Sequence, residues 1–381
     1  MIHFLSKADK KDLTGTAIVR LDFNTEDDWR MKTALPTLKF LLRANVKILV
    51  VSHKGRPTAA NRSARGGSSF GGKSQIANKN KFSLKKDAGF LGKLLGKKVH
   101  FIPHFRFGEI KKILDKSPTG SVFVLENIRF LKEEYQNSPV LAKKLAGLGN
   151  FFVNDGFAIS HRKDASVAAI TRFLPSYAGL GLEAEMKNLS HVMRNPKKPL
   201  VLVVGGGKPS DKVEILKNFH GKANRIILGG AVANTILAAR GLNIGESVAD
   251  LKNKNHYASI ARYKNIVLPV DFRIRGKKIL DIGLETEKLF AKEIGRAGTV
   301  IWNGPLGLME DKNFRRGTLA VARAVAKNKK CFSLVGGGET VMFLKKHKLD
   351  KKFSFVSTGG GAMLEFLANK KLPGIKALDI D

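Results

Sequence analysis

Short apolar, β-branched runs recur along the chain: TAIVRLDFN, VKILVVSH, SVFVLEN and FFVND in the first half, then PLVLVVGGG, RIILGG, NIVLPVDF, GTVIWNGP, CFSLVGGG and FSFVSTGGG. Amphipathic stretches with helical spacing separate them. Strands that are apolar throughout, rather than at alternate positions, belong to parallel sheets covered on both faces. The pattern therefore predicts an α/β protein built from doubly wound, Rossmann-like parallel sheets. In such sheets ligands sit beyond the carboxyl ends of the strands, and the unusual residues of this chain fall at those ends.

The two halves differ there. In the first half the strand tips are charged or polar: Asp22-Phe23-Asn24, Ser52-His53-Lys54-Gly55-Arg56, Glu126-Asn127-Ile128-Arg129, and Asn154-Asp155-Gly156 leading to His161-Arg162. In the second half they are glycine runs at 205–207, 229–230, 336–338 and 359–361. One set of tips presents cations and the other presents bare backbone. A length of 381 residues exceeds one ordinary core and favours two domains. The expected boundaries are residues 1–182, a linking helix and hinge at 183–199 that ends before Pro196, and residues 200–365. Residues 58–81, rich in Ser, Gly, Asn and Lys without apolar periodicity, read as a mobile surface loop.

Composition narrows the classes. With 43% hydrophobic and 26% charged residues the chain is globular rather than disordered. No apolar run approaches the roughly 18–20 residues of a membrane span, and the first residues lack a secretory signal's apolar core. A single cysteine, Cys331, excludes an internal disulfide framework and fits a cytoplasmic setting. Sixty-eight Lys+Arg against 32 Asp+Glu give +36, a field that attracts polyanions whatever its purpose. The excess is spread along the chain, so charge alone leaves open nucleic-acid binding, an anionic substrate, or adaptation to unusual surroundings.

A small polyanion needs several cationic donors converging on it, and arginine's planar fork engages a carboxylate or phosphate at two points. Arg30, Arg56, Arg129, Arg162 and His53 come from separate segments yet lie at or near the tips of one sheet, with Asp22 and Asn24 placed to orient them. Glycine turns let backbone N–H groups approach phosphates where a helix begins. GGGKPSDK sets Lys208 and Lys212 around a helix start, although the Walker order is absent. GGGET joins such a turn to an acid, Glu339, and a hydroxyl, Thr340; the acid suits either Mg²⁺, usually through water, or a helix cap. WNGPLGLME offers apolar residues for a base and Glu310 for ribose hydroxyls.

LDFN, ALPTLKFLL, SHKGRP, LENIRF, VNDGFAISHR, WNGPLGLME, GGGET and STGGGAMLEFL, in this order, resemble the signature segments of the phosphoglycerate kinase family, from about residue 12 to residue 377. The resemblance implies two such domains across a hinged cleft, with residues 366–381 returning to the first. It implies reversible, direct phosphoryl transfer between 1,3-bisphosphoglycerate and ADP, giving 3-phosphoglycerate and ATP, with Mg²⁺ accompanying the nucleotide. Asp22, Phe23, Asn24, Arg30, His53, Lys54, Gly55, Arg56, Arg129 and Arg162 match the substrate side. Gly207, Lys208, Lys212, Gly230, Asn303, Pro305, Leu308, Glu310, Gly337, Gly338, Glu339 and Thr340 match the nucleotide side. Arg30 and Lys208 match the catalytic positions and Glu339 the metal carboxylate. The same likeness implies a cytoplasmic monomer acting on small molecules.

Departures from that pattern are Glu339 where the family usually has aspartate, Asp164 for a histidine, Lys54 for an apolar residue, Pro209 after the lysine, the long 58–81 loop and a short 272–281 segment. Two other readings compete. A polyanion-binding protein on a degenerate kinase scaffold draws on the charge and the 58–81 loop, but that loop holds one aromatic, Phe70, so stacking platforms are poorly provided. With the kinase reading, nucleic acid is expected to bind weakly and without sequence preference. A nicotinamide dehydrogenase fails on the missing GxGxxG after the first strand.

Overall fold

The computed structural model describes residues 1–25, 28–57 and 80–379. The 58–81 loop, with Phe70, thus lies outside the described residues except for positions 80 and 81. Two compact units are resolved by contact density: residues 1–185 with 371–381, and residues 186–370. The division falls inside the helix Leu180–Arg194.

Unit 1 is built on six strands, β1 Thr16–Arg20, β2 Lys47–Val51, β3 Val99–Ile102, β4 Val122–Leu125, β5 Phe151–Asn154 and β6 Ser176–Ala178. They are all parallel, in the order β3-β4-β2-β1-β5-β6. The central strands β1 and β5 are buried at every position, which is why their sequences are apolar without alternation. The two edge strands, VHFI and SYA, escaped the hydrophobic pattern. β3 alternates in exposure and β6 is three residues long, so neither has the continuous apolar run of an inner strand.

Unit 2 repeats the architecture with β7 Leu200–Val204, β8 Arg225–Leu228, β9 Ile266–Val267, β12 Thr299–Asn303, β13 Phe332–Gly336 and β14 Phe355–Val356, in the order β14-β13-β12-β7-β8-β9. All six runs seen in the sequence reach this sheet. The run NIVLPVDF, however, contributes only Ile266 and Val267. Pro269 follows, and a proline cannot donate to a ladder. Phe272 instead opens an antiparallel hairpin, β10 Phe272–Arg275 with β11 Lys278–Ile282. Trp302, fully buried, anchors the core of this unit with Phe290, Ile294 and Val321.

Both sheets reverse their winding direction beside the first strand of the unit, between β1 and β5 and between β7 and β12. Such switch points leave a crevice at the strand tips. In unit 1 the region beside β5 is closed by the late segment of the chain, where Gly374 donates its N–H to Ser160 O at 2.8 Å and Asn154 Nδ2 donates to Gly374 O at 3.3 Å. Among the described residues no helix is long and apolar enough to cross a membrane.

Candidate active site

In unit 1 the charged tips form one chain of contacts. Asp22, two residues beyond β1, accepts from Arg30 Nη1 at 2.6 Å and from the Asn24 N–H at 2.9 Å. Arg30 is thereby held at the start of helix Trp29–Arg43. Asn24 Oδ1 takes the Gly55 N–H at 2.7 Å, and Gly55 O takes Arg129 Nη1 at 3.0 Å. His53 is fully buried after β2, with its Nδ1 3.8 Å from Asp22 Oδ1. Arg129, 1% exposed, lies over the Tyr135 ring at 5.2 Å and 3.6 Å from Asp164 Oδ2.

The structure thus brings Asp22, Asn24, Arg30, His53, Gly55 and Arg129 into one network. Phe23 packs its ring into the hydrophobic core and gives only its N–H, to Ser52 Oγ. Lys54 is occupied by Asp87, at 2.9 and 3.1 Å from its two oxygens, which ties the strand tip to helix Lys85–Leu95. Arg56 is exposed one residue beyond Gly55, and Arg162 is half-buried; neither side chain has a hydrogen bond or ion pair among the described residues. Four nitrogens of the network are buried without hydrogen-bond partners among the described residues: Arg30 Nε, His53 Nε2, Arg129 Nε and Arg129 Nη2.

A buried layer behind this network was missed in the sequence. Arg20, the last residue of β1, is fully buried and donates to Ser166 Oγ at 2.7 Å and to Leu21 O at 2.5 Å. Glu134, also fully buried, accepts from Ser166 Oγ at 2.5 Å and Ser166 N at 2.9 Å. Burial pushes the Glu134 carboxyl up, and Arg20 opposes that. The available signal was a charged residue closing an otherwise apolar strand.

In unit 2 the glycine tips meet at the switch point. Gly205 N donates to Asn303 O at 2.9 Å, Gly206 N to Pro305 O at 2.7 Å, and Gly230 N to Leu306 O at 3.0 Å. A Cβ on Gly205 would lie 2.0 Å from Pro305 O, so only glycine allows this approach. Gly337, at φ +102°, turns the end of β13 into helix Gly338–Lys346, which opens with Glu339 and Thr340. Thr340 Oγ1 and Asn303 Nδ2 are buried without hydrogen-bond partners among the described residues. Lys212 is 8% exposed and donates to Asn303 Oδ1 at 2.5 Å; burial lowers its pKa to about 8 against the opposing pull of Asp211 and Glu339.

A cavity of about 240 Å³ opens beside these tips. Gly207, Gly230, Pro305, Leu308, Glu310 and Glu339 line it, whereas Lys208, Lys212, Asn303, Gly337, Gly338 and Thr340 do not. Lys208 is exposed just before the turn Pro209–Lys212. The far wall comes from residues the sequence did not single out, among them Val248, Pro269, Phe272 and Ile279. The wall is mainly apolar, with carboxylates at Asp281, Glu310 and Glu339; its apolar part suits a flat base, and the carboxylates suit hydroxyls or a cation. Among the described residues no group of three or more His, Cys, Asp or Glu side chains could hold a metal ion.

A family model described as phosphoglycerate kinase matches residues 10–370. The chain is 36% identical over 412 residues to phosphoglycerate kinase of Gloeobacter violaceus, covering 97% of each, and 38% identical over 404 residues to that of Thermosipho africanus, covering 96% of each. The cytosolic phosphoglycerate kinase of Triticum aestivum is 36% identical over 404 residues, covering 97% of this chain and 96% of that one. Among solved structures, phosphoglycerate kinase from Coxiella burnetii superposes with TM-score 0.80 at 34% identity, covering 99% of each chain. The enzyme from Pyrococcus horikoshii OT3 does so with TM-score 0.83 at 26% identity, covering 99% of this chain and 98% of that one.

Proposed function

The chain belongs to the phosphoglycerate kinase family, and on that premise we propose how its two units divide the reaction. The protein is a phosphotransferase with a carboxyl group as acceptor, moving a phosphoryl group reversibly between 1,3-bisphosphoglycerate and ADP to give 3-phosphoglycerate and ATP. Unit 1 takes the phosphoglycerate and unit 2 the nucleotide. The protein works as a monomer in the cytoplasm, and its +36 charge gives only weak, nonspecific contact with nucleic acid.

The observation that carries the substrate assignment is the set of nitrogens on Arg30, His53 and Arg129 that are buried without hydrogen-bond partners among the described residues. A buried donor without an acceptor costs roughly 1–3 kcal/mol, and three such side chains in one contact network are accounted for by an anion that accepts from them. Arg56 and Arg162 close on the same ligand from the surface. Phe23 and Lys54 support the site from behind, through packing and the Asp87 pair, and Gly55 through its backbone.

In unit 2 the cavity takes the base and ribose, with Leu308 and Pro305 against the base and Glu310 accepting from ribose hydroxyls. The turns at Gly207, Gly230, Gly337 and Gly338, with Asn303, Thr340 and Lys212, receive the phosphates. Glu339 fits a Mg²⁺ role because it is an exposed carboxylate on the cavity at a helix start; a single carboxylate beside substrate phosphates is the usual way such sites take this ion. Bound there with the nucleotide, Mg²⁺ would neutralise phosphate charge. Arg30 and Lys208 stabilise the charge of the phosphoryl group in flight, so the residues act by positioning and electrostatics without a phosphoenzyme.

The test is a coupled assay of the purified protein with 3-phosphoglycerate and Mg-ATP, accompanied by calorimetry of each ligand alone. Turnover with both, and one site for each, is the expected result. Absence of turnover in a folded protein that binds neither ligand would overturn the assignment.

A further inference from the structure

The buried layer behind the cation network has a directional chemistry. Arg20 Nη2 lies 3.3 Å from His53 Nδ1 and 3.6 Å from Glu134 Oε1. Its other nitrogens are already committed, Nε to Ser166 and Nη1 to Leu21 O. Ser166 and Glu134 therefore fix the guanidinium in one orientation, with Nη2 facing the imidazole. Arginine only donates, so a hydrogen bond between Nη2 and Nδ1 requires the ring nitrogen to accept. Asp22 Oδ1, at 3.8 Å from Nδ1, is beyond hydrogen-bond distance.

We propose that Arg20 is a positioning residue for the phosphoglycerate site, fixing His53 as the neutral tautomer with its proton on Nε2, so that this N–H is the donor offered to the substrate anion. Which ring nitrogen carries the proton is set by the hydrogen bond that the other one makes. His53 Nε2 is buried and has no hydrogen-bond partner among the described residues, which leaves it as the free end of a relay running Glu134, Ser166, Arg20, His53. The charged groups facing the ring are Arg20 and Asp22 from β1 and its tip, Arg30 from helix Trp29–Arg43 and Arg129 from the turn Ile128–Phe130. Burial and the three arginines hold the imidazole well below its ordinary range. Its donor strength is thus independent of pH where most histidines titrate. The proposal rests on the assignment of phosphoglycerate to this unit.

Two-bond ¹H–¹⁵N spectra of the full chain, labelled at histidine, test it directly, with the His53 signals assigned by their loss in His53→Gln. The expected spectrum at neutral pH shows Nδ1 unprotonated and Nε2 protonated, with any titration falling below that of an ordinary histidine, and a shift of Nε2 on adding 3-phosphoglycerate. Arg20→Lys keeps the charge but removes the Nη2 donor. It should abolish the single tautomer and raise KM for 3-phosphoglycerate roughly tenfold, the worth of about one hydrogen bond, with KM for ATP unchanged. An Nδ1–H tautomer or an imidazolium in the wild-type chain overturns the proposal with the ligand reading intact. The expected tautomer combined with a silent phosphoglycerate titration overturns it because the ligand reading has failed. A folded Arg20→Lys protein with the same tautomer and KM also overturns it. If that variant does not fold, the wild-type spectra still decide.

Discussion

Lys212 Nζ donates to Asn303 Oδ1 at 2.5 Å, and among the described residues that amide oxygen is the buried ammonium's only hydrogen-bond partner. One acceptor cannot replace the hydration of a cation, and burial brings its pKa down to about 8. A phosphate beside it would favour the charged form. ADP affinity should therefore be steady below this pH and decline above about 8, by up to tenfold per pH unit. Calorimetry in buffers of different ionisation enthalpy should show proton uptake on binding near and above this pH, and none with Lys212→Met. A variant that keeps the uptake assigns the proton elsewhere. For stability the sign is opposite. The unfolded lysine binds its proton more tightly, so between about 8 and 10.5 folding through this group becomes more favourable as pH rises.

Arg30 and Arg56 differ in how they are held, and their lesions should differ in kind. Arg30 is gripped by Asp22 at 2.6 Å, whereas Arg56 stands exposed. Arg30→Ala should lower kcat by about 10²–10³, the usual effect of losing one donor to a developing charge. Arg56→Ala should raise KM for phosphoglycerate and leave kcat within a few-fold. The reverse pattern in steady-state kinetics would exchange their roles.

Asp164 places a carboxylate 3.6 Å from Arg129 Nη2. That charge competes with any anion for the same guanidinium. Asp164→Asn should lower KM for phosphoglycerate about two- to fivefold, corresponding to roughly 0.5–1 kcal/mol. Arg129→Met strands the buried acid, so it should destabilise by about 3–5 kcal/mol while losing phosphoglycerate binding. Denaturant melts and KM values measured together separate the two effects, and an unchanged KM in Asp164→Asn would show that the carboxylate does not compete.

Glu339 opens helix Gly338–Lys346 on the cavity. Glutamate keeps the carboxylate on a longer, looser arm, and Mg²⁺ tolerates irregular geometry poorly. Glu339→Asp should stay active with tighter Mg²⁺ use, and Glu339→Ala should need much more Mg²⁺. An alanine variant that melts lower, by the 0.5–2 kcal/mol or so of a lost cap, yet shows an unchanged magnesium titration would reduce Glu339 to a capping residue.

The +36 charge should bind nucleic acid weakly, without sequence preference, and release it steeply with salt. Deleting residues 58–81 should leave turnover largely intact. Filter binding across a salt series checks this; tight, salt-resistant binding that vanishes with the deletion would favour a polyanion-binding role.

The inner strands, their order of appearance and the contrast between cationic and glycine tips were legible because each rests on a local pattern: continuous apolar runs, and residues whose type is unusual where it stands. What escaped depends on long-range pairing. Arg20 reads as the polar end of a strand until Ser166 and Glu134, far along the chain, arrive against it. Lys54 looks like a free cation until Asp87 is seen beside it. Val248 and Phe272 are ordinary apolar residues whose place on a cavity wall follows from a hairpin that the Pro269-interrupted run conceals. Edge strands fail for a related reason, since exposure on one side removes the apolar run that marks an inner strand.

Unit 1 draws on residues from both sides of unit 2 in sequence, and Asn154 and Ser160, beside the cation-bearing tips, are bonded to Gly374. During synthesis the ribosome delivers unit 2 whole before it delivers that residue. Unit 2 thus holds all its own residues while unit 1 still lacks its closing segment. Domains generally fold as units as they emerge, but here the half translated first is the half completed last.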